Sequence, residues 1–196
     1  MIRQTEETQA LSNSIYFLRH AESKVDTSKP IRIWTLTRAG IQATKELAKE
    51  NAFSKIDVIV HSSEKKARKT AEILAKELNA PIYELPELDE LKREHKELLT
   101  DEDYRNRVRQ TLTEWDTHAP SWESARSCLQ RMLDGIRHIN IMFFSNNILA
   151  VSHGIAMTIL FAHLKRLESI AFERWSRLSY LGWGLVREDR VLVDLI

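Results

Sequence analysis

Two histidines follow apolar runs at positions typical of a catalytic site. Arg19 and His20 come directly after the apolar run 15–18, and His153 follows a second run at 148–152. Each run predicts a buried strand, and in open α/β sheets ligands bind at the carboxyl ends of the strands. An imidazole can act as nucleophile or general base, and an arginine beside it favours an anionic ligand. If the two strands are parallel neighbours, both histidines belong to one site.

The elements that must position these residues alternate between strand and helix. Strands are predicted at 14–19, 56–61, around 82–83 and at 148–152. Helices are predicted to start near Thr37, after Ser63 and after Gly154, and one more is predicted over 122–139. In the tail, 178–185 and 190–196 predict two strands joined by a turn at Glu188 and Asp189, the first pairing antiparallel at an edge of the sheet. The alternation predicts an α/β fold, a three-layer α/β/α sandwich with a mostly parallel central sheet.

The segment at about 85–120 departs from this alternation. Charged side chains are so dense from Glu87 to Arg109 that a core strand is excluded, and we predict an exposed helical lid insertion. Residues 1–13 are predicted to form a polar tail, and 14–196 a single domain that carries the insertion.

Composition limits the partners. A chain of 196 residues can bury a hydrophobic core that needs neither disulfides nor bound metals. The only cysteine, Cys128, is expected to be a small core side chain. A net charge of +1 gives no reason to expect a nucleic acid or an anionic membrane as partner. Glu6 and Glu7 stand where a signal peptide needs apolar residues, and no run approaches the ~20 apolar residues of a membrane span. We therefore expect a cytoplasmic protein; its oligomeric state is left open.

The two histidines belong to a set of four motifs in chain order. These are Leu-Arg-His-Ala-Glu-Ser at 18–23, Leu-Thr-Arg-Ala-Gly-Ile-Gln-Ala at 36–43, the segment 62–71 that ends in Thr-Ala, and Ser-His-Gly at 152–154. Together they resemble the histidine phosphatase superfamily, whose best-known branch contains the cofactor-dependent phosphoglycerate mutases. The resemblance covers roughly 14–165 and implies an α/β/α sandwich, in agreement with the pattern of elements.

The resemblance implies that His20 is a nucleophile that forms a covalent phosphohistidine. Phosphoryl transfer needs cations around the equatorial oxygens, and Arg19 and His153 are expected to supply donors there. Gly154 allows close backbone approach and starts a helix whose amides favour anions. Ser23 and Thr37 are further candidates for contact with phosphate oxygens. Neither a metal nor a cofactor is expected.

The chain departs from the family at the second basic position. Aligned on Thr70 and Ala71, the usual arginine falls on Lys66, which we prefer as the pocket cation over Arg68. Lysine supplies charge without a bidentate fork, so phosphate binding is expected to be looser or differently aimed.

The acid that protonates the leaving group is expected after the third strand, where the family has a Leu-x-Glu pattern. Glu90 fits that pattern in Leu-Asp-Glu at 88–90. A shifted alignment would promote Glu87, Asp89 or Glu94 instead.

These residues predict a metal-independent phosphomonoester hydrolase with a small phosphorylated substrate. A mutase is one alternative, but the residues after Ser23 lack the Trp-Asn and Gly-Trp elements of that branch, and 91–95 replaces its Gly-rich stretch. The other is a catalytically weak phosphoryl-binding regulatory protein, an alternative kept open by Lys66.

Overall fold

A computed structural model describes residues 12–26, 28–93 and 99–196. The strands are β1 (Ser14–Arg19), β2 (Val58–His61), β3 (Ile82–Glu84), β4 (Asn147–Ser152), β5 (Trp183–Arg187) and β6 (Arg190–Val193). The helices are α1 (Arg38–Leu47), α2 (Lys65–Leu78), α3 (Asp101–Thr113), α4 (Ala125–Met142), α5 (Gly154–Lys165) and α6 (Ala171–Arg177).

The strands form one sheet in the order β3-β2-β4-β1-β5-β6. Strands β1 to β4 are parallel, and β1 lies beside β4 with Arg19 opposite Ser152. The predicted pairing of the two histidine-bearing strands is thus confirmed. The expectation that the first tail strand lies at an edge is wrong, because β5 pairs with β1 and β6 takes the edge. Glu188 and Asp189 both have positive φ, as a tight hairpin turn requires, and fold β6 back on β5.

Helices cover both faces of the sheet, which confirms the predicted sandwich. Alternate residues of a strand point to opposite faces, so β1 places Phe17 in one core and Leu18 in the other. The core around Phe17 is closed by α3, α4, α5 and α6, and the core around Leu18 by α1 and α2. Cys128 is fully buried in the first core, and burial raises the pKa of its thiol. Helix α5 is apolar on all sides and buried throughout 154–162.

In the described part of the insertion, Pro86–Leu88 forms one short 3-10 turn, and α3 is the α-helix. This helix buries Val108 and Leu112 and places the Arg109 guanidinium 4.1 Å from the centre of the Phe172 ring on α6. The predicted exposed helix is wrong for 86–93, where Leu88 and Leu91 are almost completely buried. Charge density indicated solvent there, but the charged side chains between the leucines have partners in the fold. Residues 94–98 lie outside the described part.

Candidate active site

His20 lies directly after β1 and presents a neutral imidazole. Its Nδ1 lies 2.8 Å from the carbonyl oxygen of Ala21, and because a carbonyl can only accept, Nδ1 carries the proton and Nε2 the lone pair. Burial, helped by the neighbouring His153 and Lys66, holds the pKa of His20 well below its usual value. The ring is therefore in the form that a nucleophile needs.

His153 follows β4 and lies against His20, with the ring centroids 5.1 Å apart. Its Nε2 is 2.6 Å from the hydroxyl oxygen of Ser62. Its Nδ1 is buried without a hydrogen-bond partner among the described residues. If the Ser62 hydroxyl donates to Nε2, Nδ1 carries the proton of the neutral ring, and a bound oxyanion would then accept a hydrogen bond from it. Burial, followed by the charges of Lys66 and Arg93, lowers the pKa of His153 well below its usual value.

Arg19 is fixed at the end of β1. Its Nη1 donates to the carbonyl of Leu178, its guanidinium carbon lies 4.3 Å from the centre of the Tyr180 ring, and its buried Nε has no partner among the described residues. A Cβ on Gly154 would lie 3.2 Å from that Nε. Gly154 therefore makes room for the guanidinium, a contribution the sequence did not predict.

Lys66 lies inside the site and Arg68 does not. Lys66 is 4% exposed and lines the cavity described below, whereas Arg68 pairs with Glu84 at the surface. The Nζ of Lys66 donates to the buried carboxylate of Glu64. Burial opposes ionisation of Glu64, but the charge and hydrogen bond of Lys66 prevail and lower its pKa.

Glu64 is a site residue that sequence reasoning missed. Its carboxylate also accepts a hydrogen bond from the amide of Glu90 at 3.2 Å and lies 3.9 Å from Nε2 of His153. Glu64 precedes Lys66 by two residues, and residues two apart in a helix do not share a face. The pair therefore left no recognisable signal.

Glu90 lies at the amino end of α5. Its carboxylate accepts hydrogen bonds from the backbone amides of Leu91 at 3.0 Å, Ile155 at 3.2 Å and Ala156 at 2.9 Å. The helix start expected to favour a substrate anion thus already binds the side-chain carboxyl group of Glu90. The side chain also lines the cavity.

The alternatives to Glu90 lie elsewhere or outside the description. Glu87 pairs with His138 at 2.8 Å, and Asp89 accepts hydrogen bonds from the amide and hydroxyl of Ser63. Neither Glu87 nor Asp89 lines the cavity within the described part of the chain. Glu94 belongs to the segment 94–98, outside the described residues.

Ser23 lines the cavity, whereas Thr37 does not in the described structure. The Thr37 hydroxyl caps α1 by accepting from the amide of Gly40 at 2.9 Å, and it donates to the Glu22 carboxylate at 2.5 Å. A Cβ on Gly40 would lie 2.5 Å from the carbonyl oxygen of Glu22. This motif therefore holds the loop after β1 against α1. Thr70 holds the same loop by accepting from the amide of Ala21.

The side chains enclose a cavity of about 800 Å³ at the carboxyl ends of β1 and β4. Its base contains Arg19, His20, Lys66, Glu90 and Gly154. Its outer wall comes from the loop after β1, the segment 86–93, α3, the segment before α4, α6 and the loop after α6. It contains Trp34, Arg93, Tyr104, Arg107, Trp122, Trp175 and Tyr180. Arg93 was also missed by sequence reasoning, which placed it in the exposed lid.

The described residues contain no group of three or more His, Cys, Asp or Glu side chains that could hold a metal ion. They also contain no helix that is long and apolar enough to cross a membrane.

Comparison with known proteins identifies the family and the fold of the chain. The family model of the histidine phosphatase superfamily (branch 1) matches residues 15–188, so the chain belongs to that superfamily. The solved structure of Bacillus stearothermophilus YhfR is similar with a TM-score of 0.73 and 22% identity, over 93% of this chain and 95% of that one. No curated protein matches the chain.

Two other similar structures carry phosphatase descriptions. A putative alpha-ribazole-5'-P phosphatase from Escherichia coli has a TM-score of 0.72 and 20% identity, over 93% of this chain and 95% of that one. A phosphoserine phosphatase from Entamoeba histolytica has a TM-score of 0.74 and 18% identity, also over 93% and 95%. At these identities the likeness shows a shared fold, and membership in the superfamily supports a phosphatase-type enzyme.

Proposed function

We propose that the protein hydrolyses phosphomonoesters through a covalent phosphohistidine on His20. The observation that carries the proposal is the neutral imidazole of His20, which shares the cavity with Arg19 and Lys66 and lies against the ring of His153. A neutral nucleophile beside fixed cations is what attack on a phosphate dianion requires.

The reaction has two displacements. In the first, the Nε2 lone pair attacks phosphorus, the bond from phosphorus to the ester oxygen breaks, and the leaving oxygen takes that electron pair and a proton. In the second, water attacks phosphorus, the phosphorus–nitrogen bond breaks, and inorganic phosphate and neutral His20 are restored. The steps split one difficult displacement into two easier ones.

The remaining side chains have separate tasks in this scheme. Arg19, Lys66 and Nδ1 of His153 stabilise charge on the equatorial oxygens, with Ser23 as a further donor. Glu90 supplies the proton to the leaving alkoxide and recovers it from water. Helix α3 and the described residues around it form the lid of a single domain, under which a small phosphorylated substrate binds.

One observation favours a second candidate, a phosphoryl-binding protein with little turnover. The charge of Lys66 is paired with Glu64, so the site has less free positive charge than an unpaired arginine would give.

Turnover of p-nitrophenyl phosphate in the presence of excess EDTA separates the two candidates. The hydrolase should release nitrophenolate with chelator present, and His20→Asn should abolish the release. Tight binding of phosphate without wild-type turnover would instead establish the binding protein.

A further inference from the structure

The outer wall of the cavity is aromatic in a selective way. Three of the five tryptophans and two of the four tyrosines of the chain line it, while none of the six phenylalanines does within the described structure. Of the 21 described residues that line the cavity five are aromatic, whereas aromatic residues make up only 8% of the chain. Tryptophan and tyrosine combine a large ring with a polar edge, which suits a wall exposed to both ligand and water.

The rings come from separate elements and meet at Tyr104. The ring centroid of Tyr104 on α3 lies 5.8 Å from that of Trp122 before α4 and 6.1 Å from that of Trp175 on α6. Tyr180 lies nearer the reaction centre, with its ring centroid 5.8 Å from that of His20. The aromatic surface thus extends outward from the nucleophile, where the leaving group of a bound phosphomonoester has to lie.

A cation is disfavoured at this wall. An aromatic cage suits a quaternary ammonium, but the positive charge of the Arg93 guanidinium, 5.1 Å from the ring centre of Tyr104 and 5.4 Å from that of Trp122, repels a second cation and not an uncharged or anionic ring. The cavity of about 800 Å³ is within the range that accepts drug-sized ligands, far more than a phosphate with a two-carbon alcohol needs.

From these observations we infer that the substrates are phosphomonoesters of alcohols that carry an uncharged or anionic planar aromatic ring, which packs against Tyr104, Trp122 and Trp175. The inference rests on the proposed hydrolase function. It names the leaving group that the site selects. Ring packing of this kind strengthens binding beyond the area that it buries.

The test compares primary alkyl phosphates whose leaving oxygens are chemically alike: 2-phenylethyl, 2-cyclohexylethyl and ethyl phosphate, with phosphocholine as the cationic member. The phenyl compound should exceed its saturated counterpart about tenfold in kcat/KM, the effect of one or two ring contacts. Trp175→Leu and Tyr104→Leu should each reduce that ratio at least threefold. Tyr83→Leu, which removes an exposed ring on β3, should preserve it.

The outcomes separate this inference from the function on which it rests. Equal kcat/KM for the phenyl and cyclohexyl compounds, or preference for phosphocholine, overturns the aromatic substrate class while hydrolysis stands. Failure to turn over these esters and p-nitrophenyl phosphate alike overturns the hydrolase itself. The comparison uses the wild-type protein, so a variant that fails to fold leaves the decision intact.

Discussion

Lys66, at the base of the cavity, forms an ion pair with the Glu64 carboxylate. A bound phosphate must therefore compete with that carboxylate for the Lys66 ammonium. Both side chains are at least nine-tenths buried, so their charges act on the ligand with little screening by water. We expect Glu64→Gln, which keeps the shape and removes the charge, to tighten inhibition by inorganic phosphate by about tenfold, or ~1.4 kcal/mol.

The matched control is Glu72→Gln on α2, the helix that also carries Lys66. The Glu72 carboxylate pairs with Lys69 in solvent, so this substitution should not change inhibition by phosphate. Inhibition constants for phosphate measured with p-nitrophenyl phosphate decide the matter. An unchanged or weaker phosphate affinity in Glu64→Gln would contradict the competition.

Glu90 combines two tasks that one substitution can resolve. As proton donor it matters most for alcohols of high pKa, so Glu90→Gln should slow alkyl phosphates by ~10²-fold and p-nitrophenyl phosphate much less. As cap of α5 it accepts hydrogen bonds from the amides of Ile155 and Ala156, and an amide in its place should lower the free energy of unfolding by ~1 kcal/mol.

Kinetics with both substrates and urea denaturation of the same variant separate these tasks. Equal slowing of both substrates, with the stability loss present, would leave Glu90 as a capping residue only.

At the scale of the element, Gly154 at the start of α5 leaves the space that the Arg19 guanidinium occupies. Gly154→Ala would place a Cβ 3.2 Å from Nε of Arg19, so the guanidinium must shift. We expect kcat/KM to fall at least tenfold. The free energy of unfolding should change little, because the higher helix propensity of alanine, worth up to ~1 kcal/mol, offsets the cost of the close contact with Arg19.

Gly135→Ala is the control for this substitution. Gly135 lies within α4, and an added Cβ would meet Glu87 at 3.1 Å, a similar approach away from the cavity. Its activity should remain that of the wild type. Equal losses in the two variants would show that Gly154 acts through general packing, not through Arg19.

Elements with one dominant pattern could be predicted from the sequence. The strand β1 was predicted with its observed bounds, and a helix was predicted to start near Thr37, where α1 begins. The segment 86–93 could not be predicted, because its charged side chains find partners far away in the chain. The carboxylate of Asp89, for example, accepts hydrogen bonds from the amide and hydroxyl of Ser63, and that of Glu87 pairs with His138 on α4. Composition gives no information on such long-range contacts.

The same limit applies within the candidate site. Lys66 could be placed by counting back from Thr70, since both positions lie on one helix. The partner of Lys66, the support of His153 by Ser62 and the contact of Gly154 with Arg19 depend on how separate elements pack. A linear pattern carries no signal for any of them.

At the scale of the whole molecule, burial of His20 and His153 in neutral form couples stability to pH. Their pKa values are lowered in the folded state, so below about pH 6.5 the unfolded chain binds more protons. The free energy of unfolding is then greatest above that pH and is lost as pH falls, by up to ~1.4 kcal/mol per pH unit for each histidine.

Urea denaturation at pH 7.5, 6.5 and 5.5 measures this dependence. His153→Gln should flatten the loss between pH 6.5 and 5.5, whereas His163→Gln, at a half-exposed histidine, should retain it. A wild-type stability that is constant across this range would show that the histidines are not held neutral by the fold.

The central claim is the covalent phosphohistidine, and the most direct test is to trap it. Wild-type protein quenched during turnover of a ³²P-labelled phosphomonoester should carry acid-labile, base-stable phosphate, located on His20 by mass spectrometry of its peptides. His20→Asn should carry none. Full turnover by His20→Asn, or phosphate found on another residue of the wild type, would contradict the mechanism.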